Sequence, residues 1–253
     1  MKSIARRRKT RNAKSLNSSG QERRMLLNSE SLRTDILGWG ASIAGFADLN
    51  GSVPKKWNHL KIGVSVGVRL SNSIIDDIKN GPTLTYAHHY RTTNQLLDSI
   101  AIRISNFLQS LGYEALPIPA SQRVNKRNLK GLISHKMVAT RAGLGWIGKN
   151  ALLITPQYGP RIRLVSVLTN APLKLSQPVS ESKCGRCLLC VKTCPAGALR
   201  GKNWTVNTKR DDLMEVNLCH EVTKHNKKIF GEGICGICVS VCPFGKTSKP
   251  PES

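Results

Sequence analysis

The stretch KCGRCLLCVKTCP, residues 183–195, carries Cys184, Cys187, Cys190 and Cys194 and closes on Pro195. A second run, CGICVSVCP, repeats the ending with Cys235, Cys238, Cys242 and Pro243, and Cys219 stands upstream of it. Together these positions use all eight cysteines of the 253-residue chain. The spacing C-x2-C-x2-C-x3-C-P has a mechanical reason. Three closely spaced thiolates wrap one corner of a cubane, and the following turn sends the fourth away to a second cluster. That crossing predicts one [4Fe–4S] set of Cys184, Cys187, Cys190 and Cys242, and another of Cys194, Cys219, Cys235 and Cys238. Paired C-x-x-C elements also build structural zinc sites, which is the rival reading. A zinc ribbon has no need of the three-residue gap, the terminal Cys-Pro or the duplication of both, so two [4Fe–4S] clusters are the expectation. Gly185 and Gly236 fit it, because a backbone without Cβ approaches a sulfide closely. His220, next to Cys219, is a candidate to tune a cluster by hydrogen bonding.

The chain around these runs is strongly basic, with 39 Lys and Arg against 15 acidic residues and a formal charge of +24. Residues 1–24 are densest in charge, nine basic groups against Glu22, and nearly lack large apolar side chains. Such a segment cannot offset the entropy of ordering and is expected to be a disordered basic tail. A nucleic-acid arm, a targeting segment, a plain solvated tail and a true translation start at Met25 all fit it. No run of about 18 apolar residues is present, so no membrane span is expected. With no secretory apolar core either, eight cysteines argue for metal or redox centres rather than disulfides, and for a cytoplasmic protein.

Upstream of the cysteines, helical and strand patterns alternate. MLLNSESLRTDILGWG reads as a short helix with Leu32, Ile36 and Leu37 on one side, and ASIAGFADL as a strand. In KIGVSVGVRL, Ile62, Val64, Val66, Val68 and Leu70 alternate with Lys61, Gly63, Ser65, Gly67 and Arg69. The glycines on the second face predict close packing there. NQLLDSIAIRISNFLQSLG is the longest expected helix, with Leu96, Leu97, Ile100, Ile104, Phe107, Leu108 and Leu111 as its stripe and Gly112 as C-cap. LISHKMVATRAG follows as a helix, then ALLIT and RIRLVSVLTN as strands. The expected organisation is a tail over 1–24, an α/β or α+β domain over 25–177 and a double-cluster domain over 178–253.

One segment narrows the field. SHKMVATRAGLGWIGKNALLITPQYGPRIRLVSVLTNAPL, residues 134–173, followed by the double cysteine run with a displaced Cys219, resembles the epoxyqueuosine reductase family and, more distantly, the reductive dehalogenases. The resemblance implies an α+β fold. Its N-terminal domain would be α/β-like, of the corrinoid- or nitroreductase-like kind, and a bacterial-ferredoxin-like 2[4Fe–4S] domain would follow. It also implies a corrinoid (cobalamin) reduced by the adjacent cluster, and reductive cleavage of a carbon–oxygen or carbon–halogen bond. Arg141, Gly143, Gly145, Trp146, Gly148 and Lys149 would form the loop between corrinoid and cluster, Trp146 serving as a flat wall. A ferredoxin or flavodoxin would be the electron donor.

Those reductases continue past the clusters into a helical, tRNA-gripping region, whereas the sequence here runs to Ser253, so a short form is expected. They also carry an acidic proton donor just before the Arg-Ala-Gly motif. Between Glu114 and Glu181 this sequence has no Asp or Glu and ten Lys or Arg, and Leu129 and Lys130 stand where the acid would lie. Other side chains must then move the proton. YAHHYR offers Tyr86, His88, His89 and Tyr90, and SHK offers His135 and Lys136. Tyr90, upstream of the resembling segment, and His135, at its start, are the catalytic candidates. The acid-free stretch makes a positive field suited to an anionic substrate or a corrinoid's phosphate. Two other functions stay open: a ferredoxin-type electron carrier reducing a partner's corrinoid, and a redox protein acting on tRNA through its basic surface.

Overall fold

The computed structural model describes residues 27–121 and 129–246. The basic tail expected over residues 1–24 lies outside the described residues.

Helix α1 (Ser29–Gly38) begins at Asn28, whose side chain accepts from the backbone N–H of Glu30 and Ser31. Leu32 and Ile36 bury against the sheet, but Leu37, expected beside them, is exposed. A helical step of one residue carries Leu37 about 100° around from Ile36, off the buried stripe. Strands β1 (Ile43–Asp48), β2 (Ile62–Arg69), β3 (Ala115–Ile118) and β6 (Ile162–Thr169) form one sheet in the order β1-β2-β6-β3. Each pairing is antiparallel, which makes the domain α+β. Between β3 and β6 lie helix α4 (His135–Arg141) and a two-stranded hairpin of β4 (Trp146–Ile147) and β5 (Leu153–Ile154).

The two faces of β2 do different work. Val64 and Val66 join Phe46, Val165 and Val167 in the main core, under Leu97, Ile100, Ile104 and Leu108 of α3 (Leu84–Ser110), which follows the short helix α2 (Asn72–Asp77). Each such side chain, fully buried, contributes roughly 1.5–3 kcal/mol relative to exposure. Leu96, counted in that stripe from the sequence, is exposed. On the other face a Cβ at Gly63 would stand 2.8 Å from Val138 of α4, and one at Gly45 would stand 2.6 Å from the Ala142 carbonyl. The bare face lets α4 lie directly on the sheet, as the glycine pattern predicts.

Helix α3 starts ten residues earlier than the apolar periodicity indicates. Thr83 caps it, accepting from the Tyr86 N–H, so Tyr86, His88, His89 and Tyr90 all ride on its first turns. The stretch escaped the pattern because its first turn buries only Tyr86 and Ala87 and leaves Leu84 exposed.

The cysteine-bearing region has little regular structure: α5 (Leu189–Lys192), α6 (Arg210–Leu213), α7 (Val216–Phe230) and α8 (Ile237–Ser240). Two glycines fasten it to the sheet domain. Gly159 and Gly245, both at positive φ, face each other so closely that a Cβ on Gly159 would sit 2.0 Å from the Phe244 carbonyl. No described helix is long and apolar enough to cross a membrane.

Candidate redox site

The eight cysteines fall into two groups. Cys184, Cys187, Cys190 and Cys242 line one small cavity with Lys149, Asn150, Leu189 and Phe244. Cys194, Cys219, Cys235 and Cys238 all line a second, larger cavity of about 940 Å³ between the cysteine region and the sheet domain. These are the two sets that the crossing pattern predicts. Among the described residues, no three His, Cys, Asp or Glu side chains converge as they would on a single metal ion. Four thiols spread around a void suit the wider cubane better than one tetrahedral ion.

Burial and neighbouring sulfurs push the Cys190 thiol up to about 11 and Cys242 to about 12, and Cys238 is raised as well. Thiolates crowded in this way need cationic iron to exist together.

The first group has two further polar neighbours. Lys149, nearly fully buried, donates its Nζ to the Gly185 carbonyl at 2.8 Å. Trp146 packs among Cys184, Cys242 and Phe244, its ring edge-on to Phe244 with centroids 5.2 Å apart. The indole Nε1 is buried and finds no protein acceptor. A donor stranded beside Cys184 and Cys242 fits a site built to hold sulfide. Asn150 lines both cavities and donates its side-chain amide to the Cys238 carbonyl at 3.3 Å, so it stands between the two groups.

The large cavity is walled by Ile118, Met137, Ile147, Leu152, Trp204 and Leu213. Lys130, Lys136, Arg163 and Arg210 also reach it, and no Asp or Glu is among its described lining residues. Tyr90 lines it with its ring 4.2 Å beneath the Arg163 guanidinium, and its hydroxyl lies 3.5 Å from Ser121 Oγ. Arg163 is aimed by Asn94, which accepts from its Nε at 3.0 Å. Tyr86 meets Tyr90 edge-on, and burial raises its phenol above the ordinary range.

His135 also lines the cavity, but both ring nitrogens are engaged by protein groups. Nε2 donates to the Pro119 carbonyl at 3.0 Å, which leaves Nδ1 to accept from Ser166 Oγ at 2.9 Å. Burial lowers its pKa, consistent with a neutral ring. It ties the first residue of α4 to both β3 and β6. Lys136 donates to the Ala151 carbonyl, and burial pushes its ammonium down to about 8. His89 accepts from the Ser71 N–H, and His88 faces outward.

The loop expected to lie between corrinoid and cluster runs from the end of α4 into the β4–β5 hairpin. Arg141 donates outward to the Asp48 carbonyl. A Cβ on Gly145 would collide with the Ile154 carbonyl, one on Gly143 would press the Gln177 carbonyl, and one on Gly148 would meet the Ile154 side chain, so these glycines serve tight packing. Trp146 and Lys149 face the first cysteine group. Of residues 141–149 only Ile147 lines the large cavity, followed directly by Asn150 to Leu153. Sequence reading missed Arg163, Met137, Thr140 and Arg210. Arg163 had a signal, because a basic residue in the buried run RIRLVSVLT needs a polar reason to be there.

Comparison with known proteins agrees with this geometry. Residues 183–245 match a family described as a 4Fe-4S double cluster binding domain. An epoxyqueuosine reductase of Listeria monocytogenes is 37% identical over 123 residues, covering 46% of this chain and 31% of that protein. The Salmonella typhimurium enzyme of that name is 28% identical over 198 residues, 74% of this chain and 48% of its own length. The chain thus spans about a third to a half of the curated relatives it matches. A catabolic reductive dehalogenase, solved with 3-bromo-4-hydroxybenzoic acid, superposes with a TM-score of 0.63 at 17% identity, covering 82% of this chain and 31% of that one. A selenomethionine-labelled epoxyqueuosine reductase gives 0.59 at 20% identity, covering 87% and 66%. At such identities these two show a shared fold.

Proposed function

We propose, from a chain similar to epoxyqueuosine reductases and carrying a double-cluster domain, an iron–sulfur reductase that works on a substrate in the 940 Å³ cavity. One observation carries this reading: Cys194, Cys219, Cys235 and Cys238 line the same space as Tyr90 and Arg163. A redox centre held by those thiols would abut whatever the cavity binds. The other group, Cys184, Cys187, Cys190 and Cys242, would hold the second cluster, with Asn150 between them.

The cavity's size, apolar walls and lack of carboxylates suit a corrinoid together with a substrate. When bound, a corrinoid supplies a strongly reducing cobalt centre for cleaving a carbon–oxygen or carbon–halogen bond. The protein's own part is positioning and proton supply. Tyr90 holds a proton at its hydroxyl, and Arg163 over its ring stabilises the charge left when that proton departs. Arg163 and Lys130 favour an anionic substrate group. His135, bound at both nitrogens, fixes α4 so that Met137 and Thr140 face the ligand.

The deciding experiment is anaerobic. Clusters are reconstituted, cob(II)alamin is added and the cobalt EPR spectrum is recorded. A protein-bound signal with altered axial ligation supports the reading. Cobalt that stays free beside reducible clusters overturns it in favour of an electron carrier.

A further inference from the structure

Two cationic side chains are buried among the described residues, Arg161 at 1% exposure and Lys149 at 5%. Their surroundings differ. Arg161 faces the carboxylate of Asp76 at 2.6 Å. Lys149 makes no ion pair among the described residues, and no described Asp or Glu lines the small cavity it enters. Its Nζ donates to the Gly185 carbonyl, which also accepts from the Asn203 amide. A carbonyl served by a neutral amide has no need of an ammonium, and an ammonium taken out of water without an anion is costly. Besides apolar groups and Asn150, the cavity offers Lys149 only the thiols of Cys184, Cys187, Cys190 and Cys242. The turn between β4 and β5 aims it there. The Gly148 N–H donates to the Leu152 carbonyl, the Ala151 N–H to the Gly148 carbonyl and the Leu152 N–H to Asn150 Oδ1, so the loop that carries Lys149 is closed on itself.

We infer that Lys149 is the built-in counter-charge of the iron centre held by Cys184, Cys187, Cys190 and Cys242, and sets the potential at which that centre takes up an electron. The inference rests on the iron–sulfur reading of those cysteines. Four thiolates leave such a centre net negative, and one added electron makes it more so, with no bond made or broken. An ammonium fixed in a water-poor site favours the more negative state more strongly than an exposed cation does, because little solvent or salt screens it. The same attraction offsets the cost of burying the ammonium, so the lysine and the centre each supply the charge the other lacks. The short reach to Gly185, between Cys184 and Cys187, also ties the hairpin of the sheet domain to the first cysteine turn.

The test is a dithionite titration of the reconstituted full chain, followed by EPR, on the parent and four variants. Lys149→Met and Lys149→Gln remove the charge, the second keeping a donor for the Gly185 carbonyl, and Lys149→Arg keeps the charge. Lys192→Met removes an exposed charge two residues beyond Cys190. In both neutral variants at position 149 one of the two midpoints should fall, and fall further than the other. The drop should be at least a tenfold loss in the reduced-to-oxidised ratio, about 59 mV for one electron. Lys149→Arg and Lys192→Met should stay within about twofold of the parent ratio. A drop confined to Lys149→Met would make the lysine a mere hydrogen-bond donor or filler, and an equal drop in Lys192→Met would make its burial irrelevant; either overturns the inference. If neither neutral variant loads iron, a Lys149→Arg protein that loads at the parent potential upholds the counter-charge, and one that fails to load overturns it. A parent without cluster signals would sink the iron–sulfur reading itself, whereas loaded clusters with unchanged midpoints would sink only the role of Lys149.

Discussion

The indole nitrogen of Trp146 is buried without a protein acceptor, a state that costs about 1–3 kcal/mol if left so. A sulfur of the adjacent centre would be its acceptor, and an N–H directed at sulfur stabilises the more negative, reduced state. Trp146→Phe should therefore shift the midpoint potential of that centre downward while leaving its iron content intact, read by EPR-monitored titration. Tyr90→Phe should separate the chemistry from electron supply. Substrate turnover should fall by roughly 10²–10⁴-fold, the usual worth of a positioned proton donor, while both clusters still reduce at the parent rate. His135 gives a pH signature. Its folded pKa lies below the ordinary 6.5, so the folded state binds fewer protons than the unfolded one as pH drops past that value. Stability should be fully present above about pH 6.5 and decline as pH falls toward the depressed folded pKa. A His135→Gln variant should have a flatter thermal midpoint across pH 8 to 5.5. At this scale the cysteines were legible because their spacing is itself the chemistry. Arg163 was legible only in part: a basic residue in a buried strand asks for a polar reason, but nothing local announces that it will lie over a tyrosine 73 residues earlier.

Among elements, β2 was the easiest to read and α3 the easiest to misplace. The strict alternation in KIGVSVGVRL fixes both faces at once, and the glycines announce the helix that lands on them. Filling that face should be costly: Gly63→Ala would press Leu49 at 2.7 Å and Val138 at 2.8 Å, and overpacking of this kind costs typically 1–3 kcal/mol. Chemical denaturation should show that loss. Gly159→Ala should do worse, because the obstacle is the Phe244 carbonyl rather than a flexible side chain, and φ there is +54°. Helix α3 began early because a capping threonine, not an apolar stripe, starts it. The loop from Arg141 to Lys149 was hard to read for a related reason. Its glycines look like ligand approaches in one dimension, but they serve contacts with Ile154 and Gln177 that only the folded chain reveals.

At the scale of the whole molecule, the sheet domain and the cysteine region together enclose the cavity, and neither forms it alone. The alternation of helical and strand periods left α/β or α+β open, and the antiparallel sheet decides for α+β. The cavity could not be read from such periods, because its walls come from distant segments that share no periodicity. The exchange of Cys194 and Cys242 between the two groups has a consequence for assembly. With ligand sets divided as the two cavities divide the thiols, neither iron centre would be completed by one end of the region alone, and each would act as a clasp on chain that the other requires. Loading should then be all-or-none. A chelator titration should strip iron in a single phase, and Cys242→Ser should deplete both centres, leaving few molecules with one intact. The C-terminal region would thus be folded only as long as it is fully metallated, which makes the supply of iron and sulfide a direct control on how much of this protein exists in working form.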